Sequence, residues 1–333
     1  MLVAMKTKNT TGPAMVMLVI SALSAKAQMP IGGVHYAAGL EGIKGGSLPG
    51  PGIYARDDNF FYYGTSDLLT DYKSYIYQQA PGLMWMTPWK ILGADYGMDI
   101  TVPLIYNDIS YKTIQGATLP SGEGPPLVTT GMNRFGLGDV EIEPLLLSWH
   151  LKHFDFRAGY GFWAPTGDYN NASVVNLGDG AWTQMISLGG VWYVDHNKSW
   201  AFSILNHFEF NSQAPGTHLV PGITLPGGAG GGGGVTEVPV PANIPCSTYT
   251  MEWGASKTIY KKIDVGIVGY FQEQFMYGTS SPFNDSQVAA IGPEVRGEFP
   301  GTGWTVALRY EYQFLANNSP QGQVVDLMIS KRF

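Results

Sequence analysis

The chain has 333 residues, of which 44% are hydrophobic and 13% aromatic, and its formal net charge is −7. Only 14% of the residues are charged, against roughly 25% in soluble domains, which argues against an ordinary soluble enzyme, and the acidic balance argues against nucleic acid as a partner. Because Cys246 is the one cysteine of the sequence, an internal disulfide is excluded.

The N-terminus has the pattern of an export signal. Lys6 and Lys8 precede an apolar run over about residues 14–25, which ends in the small-residue pattern Ala25-Lys26-Ala27. This pattern predicts a cleaved secretory signal peptide over residues 1–27. The run is too short for a helix across a hydrocarbon core of about 30 Å, and no later segment offers about 20 uninterrupted apolar residues. We therefore expect an exported chain without a membrane-spanning helix.

Residues 28–52 precede the first predicted strand and allow two interpretations. They are rich in glycine, and the stretch Val34–Leu40 is less polar than a solvated tail usually is. As a periplasmic leader they would form a disordered tail of the kind common at chain termini. As a lumen plug they would fold into the barrel that the following residues predict, and the apolar stretch favours this second interpretation.

The rest of the chain predicts about twelve strands whose connections alternate between long and short. The second strand is predicted over Leu83–Trp89, after a long polar stretch, and Asn107–Phe135 and the glycine-rich stretch Ser212–Ser247 are predicted to be loops. Bacterial outer-membrane barrels combine an even strand number with short periplasmic turns and longer extracellular loops. The alternation therefore predicts an all-β fold, a transmembrane antiparallel β-barrel of about 12 strands, over residues 53–333 in a bacterial outer membrane. The other strands are predicted over residues 53–63, 94–106, 140–151, 154–164, 181–194, 199–211, 248–259, 263–275, 287–299, 304–315 and 323–333.

Alternation within the strands predicts which side chains face lipid. In the segment 304–315 the even-numbered residues are aromatic or aliphatic, whereas the odd-numbered ones include Arg309 and Glu311. A period of two puts these sets on opposite faces, so the first is expected in lipid and the second in the lumen. Tryptophans near strand ends, Trp163 among them, are expected in the interfacial aromatic girdles. The terminal Phe333 is predicted to be the signal by which the closing strand meets the barrel assembly machinery.

The same alternation directs charged side chains of both signs into the lumen. Desolvated charges persist when they are paired, so these residues would form a network that fills a narrow barrel and keeps it folded. Alternatively, they would line a pore and set its solute preference. Both interpretations stay open, because a barrel of about twelve strands is intermediate between filled and open barrels. The candidate lumen or pore-lining residues are Arg157, Glu209, Glu252, Glu294, Arg296, Arg309, Glu311 and Asp326.

The sequence contains no convincing catalytic or metal-binding pattern. The six histidines are dispersed, and the pair His150 and His153 has no carboxylate at metal-ligand spacing. The glycine run Gly227–Gly234 lacks the Lys and Ser/Thr of a phosphate loop, and no Gly-x-Ser-x-Gly elbow is present. His207 has serines nearby in sequence, but the alternation directs it inward, away from the lipid on which a hydrolase would act. We therefore predict no enzyme, no metal ion and no cofactor.

Several short motifs resemble one known family. They include Pro51-Gly52-Ile53-Tyr54 and Thr87-Pro88-Trp89-Lys90, and the most specific are Gly136-Leu137-Gly138-Asp139 and Ala164-Pro165-Thr166-Gly167. The mature chain resembles the proteins involved in the meta-pathway of phenol degradation. This resemblance implies an outer-membrane barrel, often encoded near genes for breaking down aromatic compounds, that admits such hydrophobic compounds and has no catalytic residues. The long glycine-rich loop and Lys331, which stands where an apolar or aromatic residue is usual, depart from the family pattern.

Together, the residues and the resemblance predict an outer-membrane channel for passive uptake of small hydrophobic or aromatic compounds. Its expected partners are membrane lipids, the barrel assembly machinery and a small hydrophobic or aromatic solute. Two alternatives stay open. A structural or adhesive barrel would have an occluded lumen and act through its loops, whereas an outer-membrane lipid hydrolase would lose its activity when a single Ser or His is substituted.

Overall fold

The computed structural model describes residues 35–66, 71–114, 127–170, 175–212, 218–221, 237–240, 247–260, 262–276 and 286–333. The predicted signal peptide over residues 1–27 lies outside these ranges. Within them, no helix has the length and apolar character needed to cross a membrane. All regular elements of the described residues are strands and turns.

All pairings between the described strands are antiparallel. Their bounds are β1 Gly52–Ser66, β2 Tyr72–Ile91, β3 Ala94–Thr101, β4 Leu104–Ile114, β5 Leu127–Leu137, β6 Val140–His150, β7 Phe154–Ala164, β8 Thr183–Tyr193, β9 Trp200–Asn211, β10 His218–Pro221, β11 Glu237–Val240, β12 Ser247–Ile259, β13 Ile263–Met276, β14 Gln287–Phe299, β15 Trp304–Asn317 and β16 Gln321–Arg332.

The described strands form a closed ring. β3 and β4 both pair with β2 and make one barrel strand with a break at Val102-Pro103, and β5 and β6 make the next, with a break at Gly138-Asp139. β1 pairs with β16 as well as with β2, which closes the sheet. β10 and β11 form a separate hairpin. When β3 and β4 are counted as one strand, and β5 and β6 as another, the ring has twelve antiparallel barrel strands. This confirms the predicted transmembrane β-barrel.

Two of the predicted strand boundaries are wrong. β2 begins at Tyr72 rather than at Leu83, and β4 and β5 occupy most of the predicted loop 107–135. The polar residues in these stretches do not interrupt the strands, because alternate positions such as Ser74 and Gln78 point inward and are buried. A lumen accepts polar side chains, so a strand of a barrel can continue through a polar sequence.

The predicted alternation of faces is found in β15, where Leu308, Tyr312 and Phe314 are exposed on the outside and Arg309 and Glu311 are buried inside. The outer surface therefore presents a belt of large apolar side chains, as lipid requires.

The prediction for Trp163 is wrong. Its side chain is buried inside the barrel, where its ring stacks on His35 with the ring centroids 5.5 Å apart. Trp163 is six residues from Arg157 in an unbroken strand, so it has the inward parity of that arginine. Strand parity therefore outweighs the preference of tryptophan for the membrane interface.

The connections sort to the two ends of the barrel. The strand ends that flank the long connections, such as Ile114 and Leu127, lie at one end, and those that flank the short ones, such as Ile91 and Ala94, lie at the other. The connection 318–320 is short although it belongs to the first end. We call these the long-connection end and the short-turn end.

Candidate functional site

The segment His35–Pro51, which we call the lumen segment, lies inside the ring. At the long-connection end, the ring Nδ1 of His35 is 2.9 Å from Oγ1 of Thr183, the first residue of β8. At the short-turn end, Arg332 donates a hydrogen bond of 2.9 Å to the carbonyl of Pro51. The segment therefore runs along the length of the lumen, and Ala37 and Ile43 within it are each 1% exposed. Residues 28–34, the other part of the predicted leader or plug, lie outside the described residues.

Carboxylates from three barrel strands accept hydrogen bonds from the backbone of the lumen segment. Glu209 accepts from the amides of His35 at 3.2 Å and Tyr36 at 3.1 Å. Glu252 accepts from the amides of Gly39 at 2.7 Å and Glu41 at 3.0 Å, and from the Tyr36 hydroxyl at 2.9 Å. Glu294 accepts a hydrogen bond from the amide of Ile43 at 3.0 Å. A coil has no ladder partner for its N–H groups, and these side chains supply the acceptors.

Guanidinium groups hold the carbonyls of the same segment. Arg157 donates to the carbonyl of Gly45 at 3.0 Å, and Arg296 donates to that of Ile43 at 3.5 Å. Arg309 donates to the carbonyl of Gly39 and, through Nε, to Glu294 at 3.0 Å.

The remaining two predicted lumen residues are close to this network. Arg309 lies 3.7 Å from Asp326, which is fully buried. Glu311 is 1% exposed and lies directly beside Gly39. The structure thus brings together the eight charged residues that alternation directs into the lumen, and six of them bond the lumen segment directly. A role of these residues in lining a solute path stays a prediction.

The segment also carries charged side chains that the sequence analysis did not single out. His35 lies 2.8 Å from Asp139, and Lys44 lies 2.8 Å from Asp264. Glu41 pairs with Arg56 at 3.2 Å and with Arg157 at 3.5 Å. Burial acts to raise the pKa of Glu41, but the positive charges of Arg56 and Arg157 outweigh it and hold that pKa at about 2. The lumen segment is a coil, and a coil has no sequence periodicity from which its contacts could be predicted. The charges of these residues are the one signal that the sequence offers for them.

Two glycines permit the close fit of the lumen segment. Gly42 has φ +56, and a Cβ there would collide with the side chains of Glu294 and Arg309. A Cβ on Gly46 would collide with the backbone of Gly190 in the barrel wall. The positive φ therefore favours glycine at the first position, and the backbone of Gly190 requires it at the second.

Beside the lumen segment lie two cavities. A central cavity of about 90 Å³ is bounded by segment residues and by the wall from β1 to β9. A vestibule of about 500 Å³ opens at the short-turn end, next to the turn 300–303. The side chains of Glu41, Arg56 and Met84 line both spaces. The Glu41–Arg56 ion pair therefore stands at the boundary between the cavity and the vestibule.

The central cavity has one aromatic side and one acidic side. Tyr36 stacks on His207 with the ring centroids 4.0 Å apart, and both rings line the cavity together with Trp163. Asp99, Glu141 and Glu143 line it from β3 and β6. Within the described residues, no group of three or more His, Cys, Asp or Glu side chains has the geometry to hold a metal ion. The cavity thus offers ring surface and hydrogen-bond acceptors to a small organic molecule.

The fold and lumen define a membrane-spanning β-barrel with a chain segment docked inside it. The chain belongs to the family described as "Putative MetA-pathway of phenol degradation", whose model matches residues 57–329. No curated protein matches the chain.

The chain also matches solved structures. One is the COG4313 outer membrane channel from Pseudomonas putida F1, with a TM-score of 0.63, 12% sequence identity, and coverage of 90% of this chain and 100% of that chain. Another is the β domain of the Bordetella autotransporter BrkA, with a TM-score of 0.47, 12% identity, and coverage of 86% and 100%. At 12% identity, the likeness to the outer membrane channel concerns the fold alone.

Proposed function

We propose that the protein is an outer-membrane channel for passive uptake of small hydrophobic or aromatic compounds. The observation that carries the proposal is the central cavity, which has aromatic side chains on one side and is separated from the open vestibule by Glu41, Arg56 and Met84. Family membership over residues 57–329 supports a role connected with aromatic compounds. The solved structure from Pseudomonas putida, which is an outer membrane channel, supports the same class of function.

The apolar outer belt supports an outer-membrane location, since a closed barrel with such a belt is the form in which strands cross a bilayer. An apolar solute crosses the polar lipopolysaccharide layer poorly, so a protein route through that layer is useful to it. The exposed Phe333, whose amide donates to the carbonyl of Ile53 at 2.9 Å, follows the strand that closes the ring and is the expected contact of the assembly machinery.

Opening of the route requires the lumen segment to move, because its side chains close the space between the cavity and the vestibule. Ser47 donates a hydrogen bond of 2.9 Å to Asp155 on β7, which makes this pair a suitable place for a covalent lock. The variant S47C/D155C, made in a C246S background, forms a disulfide when oxidised and is free when reduced. The protein is refolded into planar bilayers, and conductance is recorded with and without toluene.

In the reduced state we expect discrete openings that toluene alters, and in the oxidised state we expect openings to be rare. Because the two states share one sequence, the reduced protein is the matched control for the lock. A folded barrel that fails to conduct even when reduced would refute the channel and leave a structural or adhesive barrel with an occluded lumen.

A further inference from the structure

None of three neighbouring carboxylates in the central cavity forms an ion pair with another of the described residues. Asp99 on β3 and Glu143 on β6 are directly opposite each other in the sheet, and Glu141 is two residues from Glu143 on the same face. The two arginines that line the cavity, Arg56 and Arg157, both form ion pairs with Glu41, and Arg56 also pairs with Asp58 at 2.6 Å. The acidic side of the cavity therefore presents three neighbouring acceptors to whatever occupies it.

A second and separate observation concerns His207, which faces the same cavity from β9. Its side chain is buried, its Nδ1 lies 3.2 Å from the sulfur of Met185, and its Nε2 has no hydrogen-bond partner. When Nδ1 carries the proton and directs it at the sulfur, Nε2 is an acceptor. Glu143 is 8% exposed, and its Oε1 also lacks a partner. A buried polar atom without a partner is costly, and both of these atoms need a donor.

The occupant that satisfies these groups has several N–H donors and an apolar body. An ammonium group carries three donors and a positive charge, and it meets the carboxylates as a compact cation. Its carbon skeleton lies against Trp163 and Met185, and the rings of the cavity attract a cation in addition. A metal ion does not fit as well, because the described side chains do not converge with coordination geometry.

We propose that the central cavity is a binding site for small organic ammonium ions, held by Asp99, Glu141 and Glu143 and by the ring of Trp163, which lies beside Glu141 on the neighbouring strand β7. This inference rests on the proposed function, because it names the class of solute that the channel selects: amines with an aromatic or aliphatic body. The negative charge of the chain would further concentrate such cations at its mouth.

The test measures binding to the full mature chain, folded in detergent, by calorimetry at neutral pH. Benzylammonium, benzyl alcohol and benzoate are the probes, since they share a ring and differ in charge. We expect benzylammonium to bind at least about tenfold more tightly than benzyl alcohol, because a site built for N–H donors discriminates against analogues that lack them. Benzoate is expected not to bind.

The variant D99N/E141Q/E143Q retains the shapes of the side chains and removes their charges, and we expect it to lose at least about tenfold in affinity for benzylammonium. Glu273→Gln is the matched control, since Glu273 lies on β13 and accepts a hydrogen bond from Gln287 at 3.4 Å, away from the cavity lining. If the triple variant does not fold, the three probes on the unmodified chain decide the question alone.

Equal binding of benzylammonium and benzyl alcohol would overturn the inference, and so would unchanged binding in a folded triple variant. These outcomes are separate from conduction. A chain that passes toluene without preferring the ammonium ion would keep the proposed channel and lose the site. A chain that binds the ammonium ion but never conducts would keep the site and lose the channel.

Discussion

Glu252 makes the largest number of hydrogen bonds to the lumen segment of any carboxylate described above, so its removal should loosen that segment. The Glu252→Ala substitution leaves three donors without their acceptor: the amides of Gly39 and Glu41 and the hydroxyl of Tyr36. Hydrogen bonds to a charged group contribute about 1.5–3 kcal/mol each. Water can replace part of this in the lumen, and bonds that share one carboxylate are not additive, so we expect a total loss of about 3 kcal/mol.

A loss of about 3 kcal/mol corresponds to a change of about a hundredfold in the equilibrium between docked and undocked segment. The assay is amide hydrogen exchange of the folded protein, followed by mass spectrometry of the peptides that contain Gly39 and Glu41. Exchange through local undocking reports this equilibrium directly, so the protection of both amides should fall about a hundredfold. Glu252→Gln keeps one acceptor oxygen and should give an intermediate loss.

Glu273→Ala is the control for this experiment, because it removes a carboxylate of the same size from the neighbouring strand β13, where the bonded partner is Gln287. Protection of the Gly39 and Glu41 amides should be unchanged in this control. If Glu252→Ala also leaves their protection unchanged, the hydrogen bonds to this carboxylate do not hold the segment in the lumen.

Two other substitutions test the position and the fit of the segment. Glu41→Gln should raise single-channel conductance, because it weakens the ion pair with Arg56. The difference in conductance from the unmodified chain should persist at about pH 4, since a lowered pKa of about 2 keeps Glu41 ionised there. Loss of the difference at that pH would mean that the pKa of Glu41 is not lowered. Gly46→Val should expel the lumen segment and raise amide exchange across it, because the valine side chain would meet the backbone of Gly190. Gly50→Val is the control and should leave exchange unchanged, since a Cβ there enters open space. Equal exchange in the two variants would contradict the close fit of the segment.

The barrel itself could be predicted from the sequence because alternation is a local signal. In β15 the even-numbered side chains lie on one face and the odd-numbered ones on the other, so the face of each residue can be predicted without knowledge of the partner strand. The strand ends were harder to predict. Polar residues of β2 between Tyr72 and Pro81 resemble a loop in composition, yet a wet lumen satisfies them. A polar composition therefore indicates a loop only in proteins whose strands must have an apolar inner face.

The candidate site could be predicted only in part, because the lumen segment has no periodicity. Parity predicts that Arg157 and Arg309 point inward, but it does not predict what they meet. Their hydrogen-bond partners are carbonyls of Gly45 and Gly39, and a carbonyl has no sequence signature. From the sequence, a charge network and a pore lining are two interpretations of these residues, and both stay open. The contacts connect the charge network with the pore lining, since a network that binds a segment inside the lumen also sets the space that remains for a solute.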